Sequence, residues 1–239
     1  LLRPAPEGPD APAARLIRRR RSAQAFDGVT AISREAFCRM LDLTLPRAGL
    51  APFDALGWAP RVHLVLFVHR VEGLAPGLYL LPRRAGAETK LRAALSPAFA
   101  WQRAEDWPAH LPLYRLQSGD ARGAAQILSC HQDIAADSAF AVAMLAEFES
   151  PLAEGPWVYR QLHWEAGMIG QVLYLAAEAT GLQGTGIGCF FDDATHELLG
   201  IEGRVLQDLY HFTVGAALAD TRLQTLPAYV HLQRPRVVV

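Results

Sequence analysis

Between Tyr159 and Thr180 runs the segment that leaves this chain least freedom. Leu162, Met168, Ile169, Val172, Leu173, Leu175, Ala176 and Ala179 give it an apolar face too wide for a helix lying on a surface. A helix of about six turns is expected, mostly enclosed by the rest of the protein. Gly167 and Gly170 fall inside it, each costing about 1 kcal/mol relative to alanine. Another backbone, such as a second helix, is therefore expected to approach closely there. Gly181 is placed to end the helix.

The remaining segments read as strands mixed with short helices. Val62–Val68 (VHLVLFV) is nearly unbroken apolar, β-branched sequence, which marks a buried strand. Further strands are expected at Gly77–Leu81, Ala139–Phe148, Gly184–Phe191 and Leu209–Val214. Helices are expected from Ala14 into the Arg18–Arg21 block, over Lys90–Leu95 and over Ala121–Cys130. Another should be capped by Asp192 or Asp193 and ended by Gly200. Ser33 reads as an N-cap, because Ile32 and Phe37 flank it with staple spacing. Phe37, Met40, Leu41 and Thr44 then recur at helical spacing before Pro46. This order lacks the regular alternation of a doubly wound sheet and predicts an α+β fold.

Composition removes several function classes. Hydrophobic residues make up 51% and charged residues 20% of the 239, which suits a folded globule. A net charge of −1 exerts no pull toward nucleic acid or an anionic membrane. No apolar run approaches the roughly 20 residues of a membrane helix. Residues 1–14 hold four prolines and read as a linker, so 15–239 is the expected domain and the chain reads as a piece of something longer. Leu1-Leu2 runs straight into Arg3-Pro4, which is no signal peptide. Cys38, Cys130 and Cys189 are odd in number and lack CxxC spacing, so free thiols in a reducing, cytoplasmic setting are expected. Lys90 is the sole lysine and lies in a polar stretch, which disfavours Schiff-base chemistry.

Three segments could carry chemistry. Arg18–Arg21 followed by Ser22, Gln24 and Asp27 supplies guanidinium forks, a hydroxyl and an amide, a set suited to phosphate or carbonyl oxygens; it also reads as a solvated basic face. Gly181–Gly188 is glycine-rich but follows a helix and opens a strand, the reverse of a dinucleotide fingerprint. Its glycines suit backbone approach to a flat ligand. Asp220-Thr221-Arg222 adds an arginine after the last strand. A metal site is not expected: His196-Glu-Leu-Leu-Gly lacks the second histidine of a zinc helix, and the histidines show no tight pairing. No GxSxG elbow anchors a Ser-His-Asp reading. His163 reads as a core or interface histidine, and Cys189 as a packing residue.

Together these segments resemble the nitroreductase superfamily, and within it the SagB-type, azoline-dehydrogenase-like branch. Arg20-Arg21-Ser22-Ala23-Gln24-Ala25-Phe26-Asp27 is similar to the family's opening segment. The stretch from Tyr159 through His163, Glu165 and Gln171 to Tyr174 is similar to its central helix. Gly186–Asp193 resembles its flavin-flanking strand, and Val214-Gly215 with Asp220-x-Arg222 its phosphate-binding close. The resemblance implies a central mixed or antiparallel sheet flanked by helices around a long buried one.

It further implies FMN as cofactor, with NAD(P)H as possible electron donor and a small molecule as substrate. Arg20, Ser22 and Arg222 would hold the phosphate and ribityl chain, with Arg21 beside them. Gln24 would face the pyrimidine end of the ring, and the backbone at Ile187, Gly188 and Cys189 would lie near N5. Family members are intertwined dimers, so a homodimer or a pseudo-dimer with a second such domain is implied. Two readings stay open: an FMN-dependent oxidoreductase, or a catalytically degenerate half that scaffolds a partner. The family's second flavin loop appears here as Pro46-Arg47-Ala48-Gly49, without its serine.

Overall fold

A computed structural model describes residues 12–233. The chain runs through α1 (Ala13–Arg19), α2 (Arg34–Leu43), β1 (Val62–Val68), β2 (Gly77–Leu81), α3 (Ala87–Ala94), β3 (Gln102–Arg103) and β4 (Tyr114–Ser118). There follow α4 (Arg122–Leu128), α5 (Asp133–Asp137), β5 (Phe140–Glu147), α6 (Glu149–Leu152) and α7 (Trp157–Ala179). The last elements are β6 (Gln183–Ile187), α8 (Asp192–Leu199) and β7 (Leu206–Gly215). Of the expected linker, residues 1–11 lie outside the described residues, while Ala13 and Ala14 open α1.

Seven strands form one sheet in the order β3-β4-β2-β1-β5-β7-β6, every ladder antiparallel. A parallel bridge from Ser22 to Gly184 adds a mixed edge beyond β6. The fold is the α+β arrangement expected of a nitroreductase-like chain. Side chains alternate across a strand, so β1 feeds two cores. Leu64, Leu66 and Val68 face α2 and α7 on one side of the sheet; Val65 and Phe67 face the α3, α4 and α8 side. Burial on both faces explains why β1 is apolar without interruption.

Several local readings hold. Ser33 caps α2 by accepting from the Ala36 N–H at 3.1 Å. Helix α7 spans 23 residues and packs against β1, β6 and β7. Others need correction. The strand expected to reach Phe191 stops at Ile187, and α8 begins at Asp192 with Phe191 at the cap position and no side-chain cap. The Asp192 carboxylate instead accepts from Gln207 Nε2 at 2.8 Å. β4 went unread because it is short and its outer residues are polar and exposed. Gly170 meets no second helix: a Cβ there would lie 3.2 Å from the Tyr210 ring of β7. No described helix is long and apolar enough to cross a membrane.

One ion pair ties the long helix to the sheet. Glu165 of α7 is fully buried and pairs with Arg83, itself buried beyond β2. Its carboxylate also accepts from the N–H groups of Arg61 (2.9 Å) and Val62 (3.3 Å) at the entrance to β1. Arg83 donates onward to the carbonyls of Thr44 and Val62, both at 2.8 Å. Each carboxylate oxygen is thus satisfied, as burial of a charge requires.

Candidate functional site

The segment Arg20–Asp27 is an extended stretch clamped between two strands' ends. Ala23 donates its N–H to Gly184 O (3.1 Å), and Thr185 Oγ1 donates to Ala23 O (2.6 Å). On its other side Asp27 N donates to Ala216 O (3.0 Å) and Leu218 N to Ala25 O (3.0 Å). The pairing places Arg20, Ser22 and Gln24 along the outer edge of β6. Ser22 and Gln24 are exposed, and Arg20 and Arg21 half-buried.

Those four side chains have different tasks. Arg21 Nη1 donates to the carbonyls of Arg18 (3.0 Å) and Arg20 (2.9 Å), closing the C-terminus of α1, and Nη2 reaches Leu226 O at 3.2 Å. The Arg20 guanidinium lies 4.5 Å over the Tyr174 ring and donates to no acceptor among the described residues. Ser22 Oγ and the Tyr174 hydroxyl are 2.8 Å apart, and that hydroxyl accepts from the Gly186 N–H at 2.9 Å. Gln24 makes no described side-chain hydrogen bond and projects into solvent.

The outer edge of β6 is therefore capped in steps. Alternate residues of an antiparallel strand point their peptide groups away from the partner. On the side away from β7, Gly184 O is taken by Ala23, and Gly186 N–H by Tyr174. The next outward group, the Gly188 N–H, donates to nothing among the described residues, and Gly188 and Cys189 are exposed. A Cβ at Gly186 would lie 1.7 Å from the Tyr210 hydroxyl, so only glycine fits beneath that ring. Burial pushes the Tyr210 phenol above its ordinary range, so it remains a neutral hydroxyl.

Arg222 is not gathered to this edge. Its guanidinium is 87% exposed and pairs with its neighbour Asp220 at 2.8 Å. Ile187 ends β6 with its side chain in the core on the α4 side.

Cys189 needs the largest correction. It forms a disulfide with Cys130, Cα to Cα 5.8 Å, leaving Cys38 as the free thiol. The 59-residue separation hid the pairing, because spacing reports only local motifs. Topology brings them together: Phe191 N donates to Leu128 O at 2.8 Å, so the exit of β6 crosses the end of α4.

Beside it lies a second grouping that sequence spacing could not show. His211 Nδ1 is 3.0 Å from Ser129 Oγ, and His211 Nε2 is 2.7 Å from Asp208 Oδ2. Strict alternation would send Asp208 and His211 to opposite faces. The register shift opposite Ala143–Leu145 puts an extra residue in β7 and turns both the same way. All three side chains are buried, so no substrate reaches the hydroxyl. The chain of hydrogen bonds fastens α4 to β7.

His163 is exposed, stacks on Tyr159 at 4.6 Å between ring centroids and hydrogen-bonds Tyr159 O at 2.9 Å. It is no core histidine. Around it α7 exposes Trp157 (53%) and Trp164 (56%), with Arg160, Gly167 and Gln171 continuing the same stripe. A Cβ at Gly167 would meet nothing within 4 Å.

Comparison with known proteins gives the arrangement its family. No curated protein matches the sequence. Among solved structures, an Anabaena variabilis protein described as a nitroreductase is 24% identical over 86% of this chain, with a TM-score of 0.67. This chain spans only 38% of that protein's length. The Escherichia coli microcin synthetase McbBCD complex, with truncated pro-MccB17 bound, is 15% identical over 92% of this chain and 78% of its own, TM-score 0.60. The NADPH:FMN oxidoreductase of Vibrio harveyi, complexed with NAD+, is 14% identical over 90% and 79%, TM-score 0.50. At these identities the three structures show a shared fold. The sequence model of the nitroreductase family matches residues 17–216, from within α1 to just past β7. The chain belongs to the nitroreductase family.

Proposed function

We propose that this chain is an FMN-dependent oxidoreductase, with NAD(P)H as electron donor and a small conjugated or electron-poor molecule as acceptor. The observation that carries the reading is the outer edge of β6. It presents the Arg20 guanidinium and the Gly188 N–H, neither of which donates to any acceptor among the described residues, and an exposed hydroxyl at Ser22. This donor set fits FMN: a cation and a hydroxyl for phosphate oxygens, and a peptide N–H beside a flat, glycine-lined strip. Bound FMN supplies hydride transfer through N5.

The protein's own residues would do the holding. Arg20, kept planar against Tyr174, offers its fork to the phosphate, and Ser22 adds a neutral donor. Arg21 cannot do the same, because its guanidinium already closes α1. Gln24 extends an amide toward the pyrimidine end, and the Gly188 and Cys189 backbone lies near N5. Arg222 supplies a second phosphate cation once released from Asp220. A homodimer, or a pseudo-dimer with a second such domain, would close the site over the α7 stripe of Trp157, Trp164 and Gly167. The resemblance of its motifs to the SagB-type branch supports a place for the chain near that branch. A peptide azoline is not proposed as substrate, because Glu154-Gly155-Pro156-Trp157 stands where that branch carries its Lys-Tyr pair.

A second reading draws on the loop after α2. Arg47 there turns inward to Asp42, donating to its carbonyl at 2.6 Å, so its guanidinium is engaged within the protein. The domain would then scaffold a catalytic partner. FMN reconstitution followed by gel filtration and an absorption spectrum separates the two readings. Flavin bands co-eluting with a dimer support the oxidoreductase, and a protein that never retains FMN overturns it.

A further inference from the structure

We propose that the Cys130–Cys189 disulfide is a thiol-exchange site, open to small thiols at Cys189 and able to break and re-form in the folded protein. Three observations support it. Cys189 is exposed and Cys130 half-buried, so a thiolate can reach the bond from the Cys189 side. Cys130 itself holds left-handed backbone, φ 55°, a conformation that residues other than glycine, asparagine, aspartate and histidine rarely adopt. The bond is thus carried by a backbone position that is costly to hold.

The third observation is a non-covalent clasp that outlasts the bond. Gln132 Nε2 donates to Ser129 O (2.8 Å) and Cys189 O (3.3 Å), joining the two segments across the disulfide. Phe191 N donates to Leu128 O, and the Phe190 ring stacks on His211 with centroids 4.7 Å apart. Cleavage would therefore leave the two sulfurs close and the sheet untouched.

The exchange balances without an unnamed reagent. A small thiolate attacks Cys189 Sγ, the S–S bond breaks, and Cys130 leaves as thiolate to be protonated by solvent. A second small thiolate then attacks the added sulfur. The product is the oxidised small-molecule disulfide, and Cys189 is left as the second thiol. Two electrons pass from two small thiols to the protein pair. The consequence for function rests on the flavin reading above: the segment Gly188–Phe191, held after cleavage by the clasp alone, would carry the N–H placed near N5. Its looser hold should weaken FMN binding by about tenfold.

The test starts from protein purified without reductant or flavin, exposed to rising glutathione, then quenched, alkylated and read by peptide mass. Cys130 and Cys189 should be unlabelled at first and become labelled together, while Cys38, whose thiol burial pushes up to about 11, labels independently of them. Cys130→Ser, exposed to glutathione disulfide, should trap one glutathione on Cys189 and release the other as the thiol. Full labelling before any thiol is added would show that no bond forms. Resistance to excess dithiothreitol until the protein is unfolded would show a closed structural bridge. Either result overturns the proposal. Flavin quench titrations of the oxidised and reduced forms then test the consequence: equal affinities remove it. Absence of binding in both forms removes the flavin reading and leaves the exchange standing.

Discussion

Two arginine sites in this fold point opposite ways. Arg83 is buried at Glu165, and its Nε and Nη1 donate to protein: a carboxylate and two carbonyls. Arg20 lies at the rim of β6, stacked on Tyr174 and donating to no described protein group. The first site is closed, since its charge was compensated as the chain folded. The second keeps its bonding capacity for something else. Residue type alone cannot tell the two apart; what differs is whether the fold supplies the partner. The contrast is what motivates the proposal of binding at the β6 edge and of a structural role at Arg83.

The sharpest way to break that comparison is to remove one partner at the closed site. Glu165→Ala should cost about 3–5 kcal/mol, because Arg83 would keep a buried charge with nothing opposite it. Urea unfolding would measure it, and Arg83→Met with Glu165→Leu should recover much of the loss. A change below about 1 kcal/mol would mean that the pair is not buried as described.

Acid probes a second closed position. Burial holds the His69 imidazole down to about 4, while Nε2 hydrogen-bonds Ala135 O at 3.2 Å. Below its unfolded value of about 6.5 the unfolded chain binds the proton and the folded one does not. Stability from this group is therefore full above that pH and falls as pH drops toward 4, by up to roughly 3 kcal/mol. His69→Gln should flatten the unfolding midpoint across that window relative to the parent; parallel slopes would clear His69 of the effect.

At the open edge the effect should appear in binding and spare stability. Arg20→Ala is expected to cost about 1.5–3 kcal/mol of FMN affinity in a fluorescence titration, with little change in unfolding. If FMN affinity holds while stability falls, Arg20 is a structural residue and the contrast with Arg83 collapses. The smallest effect belongs to Gly167→Ala on the exposed stripe of α7. Alone, the substitution should stabilise the helix by up to about 1 kcal/mol. In a dimer packed through that stripe it should weaken association, which gel filtration at falling concentration would detect.

Much of the fold was legible because periodicity is local. The apolar run of β1, the cap at Ser33 and the wide face of α7 each declared an element within a few residues. Of the candidate site residues, Arg20, Ser22 and the β6 glycines do line one edge, as their segments alone could not show. The part played by Tyr174 was not legible, because a tyrosine on a buried face reads as core until its hydroxyl is seen to meet a backbone group. Arg222 carries its motif, and in the folded chain it pairs with its neighbour Asp220.

By itself, then, the sequence determined most element types, the burial of β1 on both faces and the run of glycines along β6. Hydrophobic period and backbone freedom act within a few residues, so they can be read along the chain. Only the tertiary structure decided which arginine is used up, that Cys130 meets Cys189, and that a bulge turns Asp208 and His211 to one side. Those outcomes depend on contacts between residues far apart in the chain, set by strand order and register.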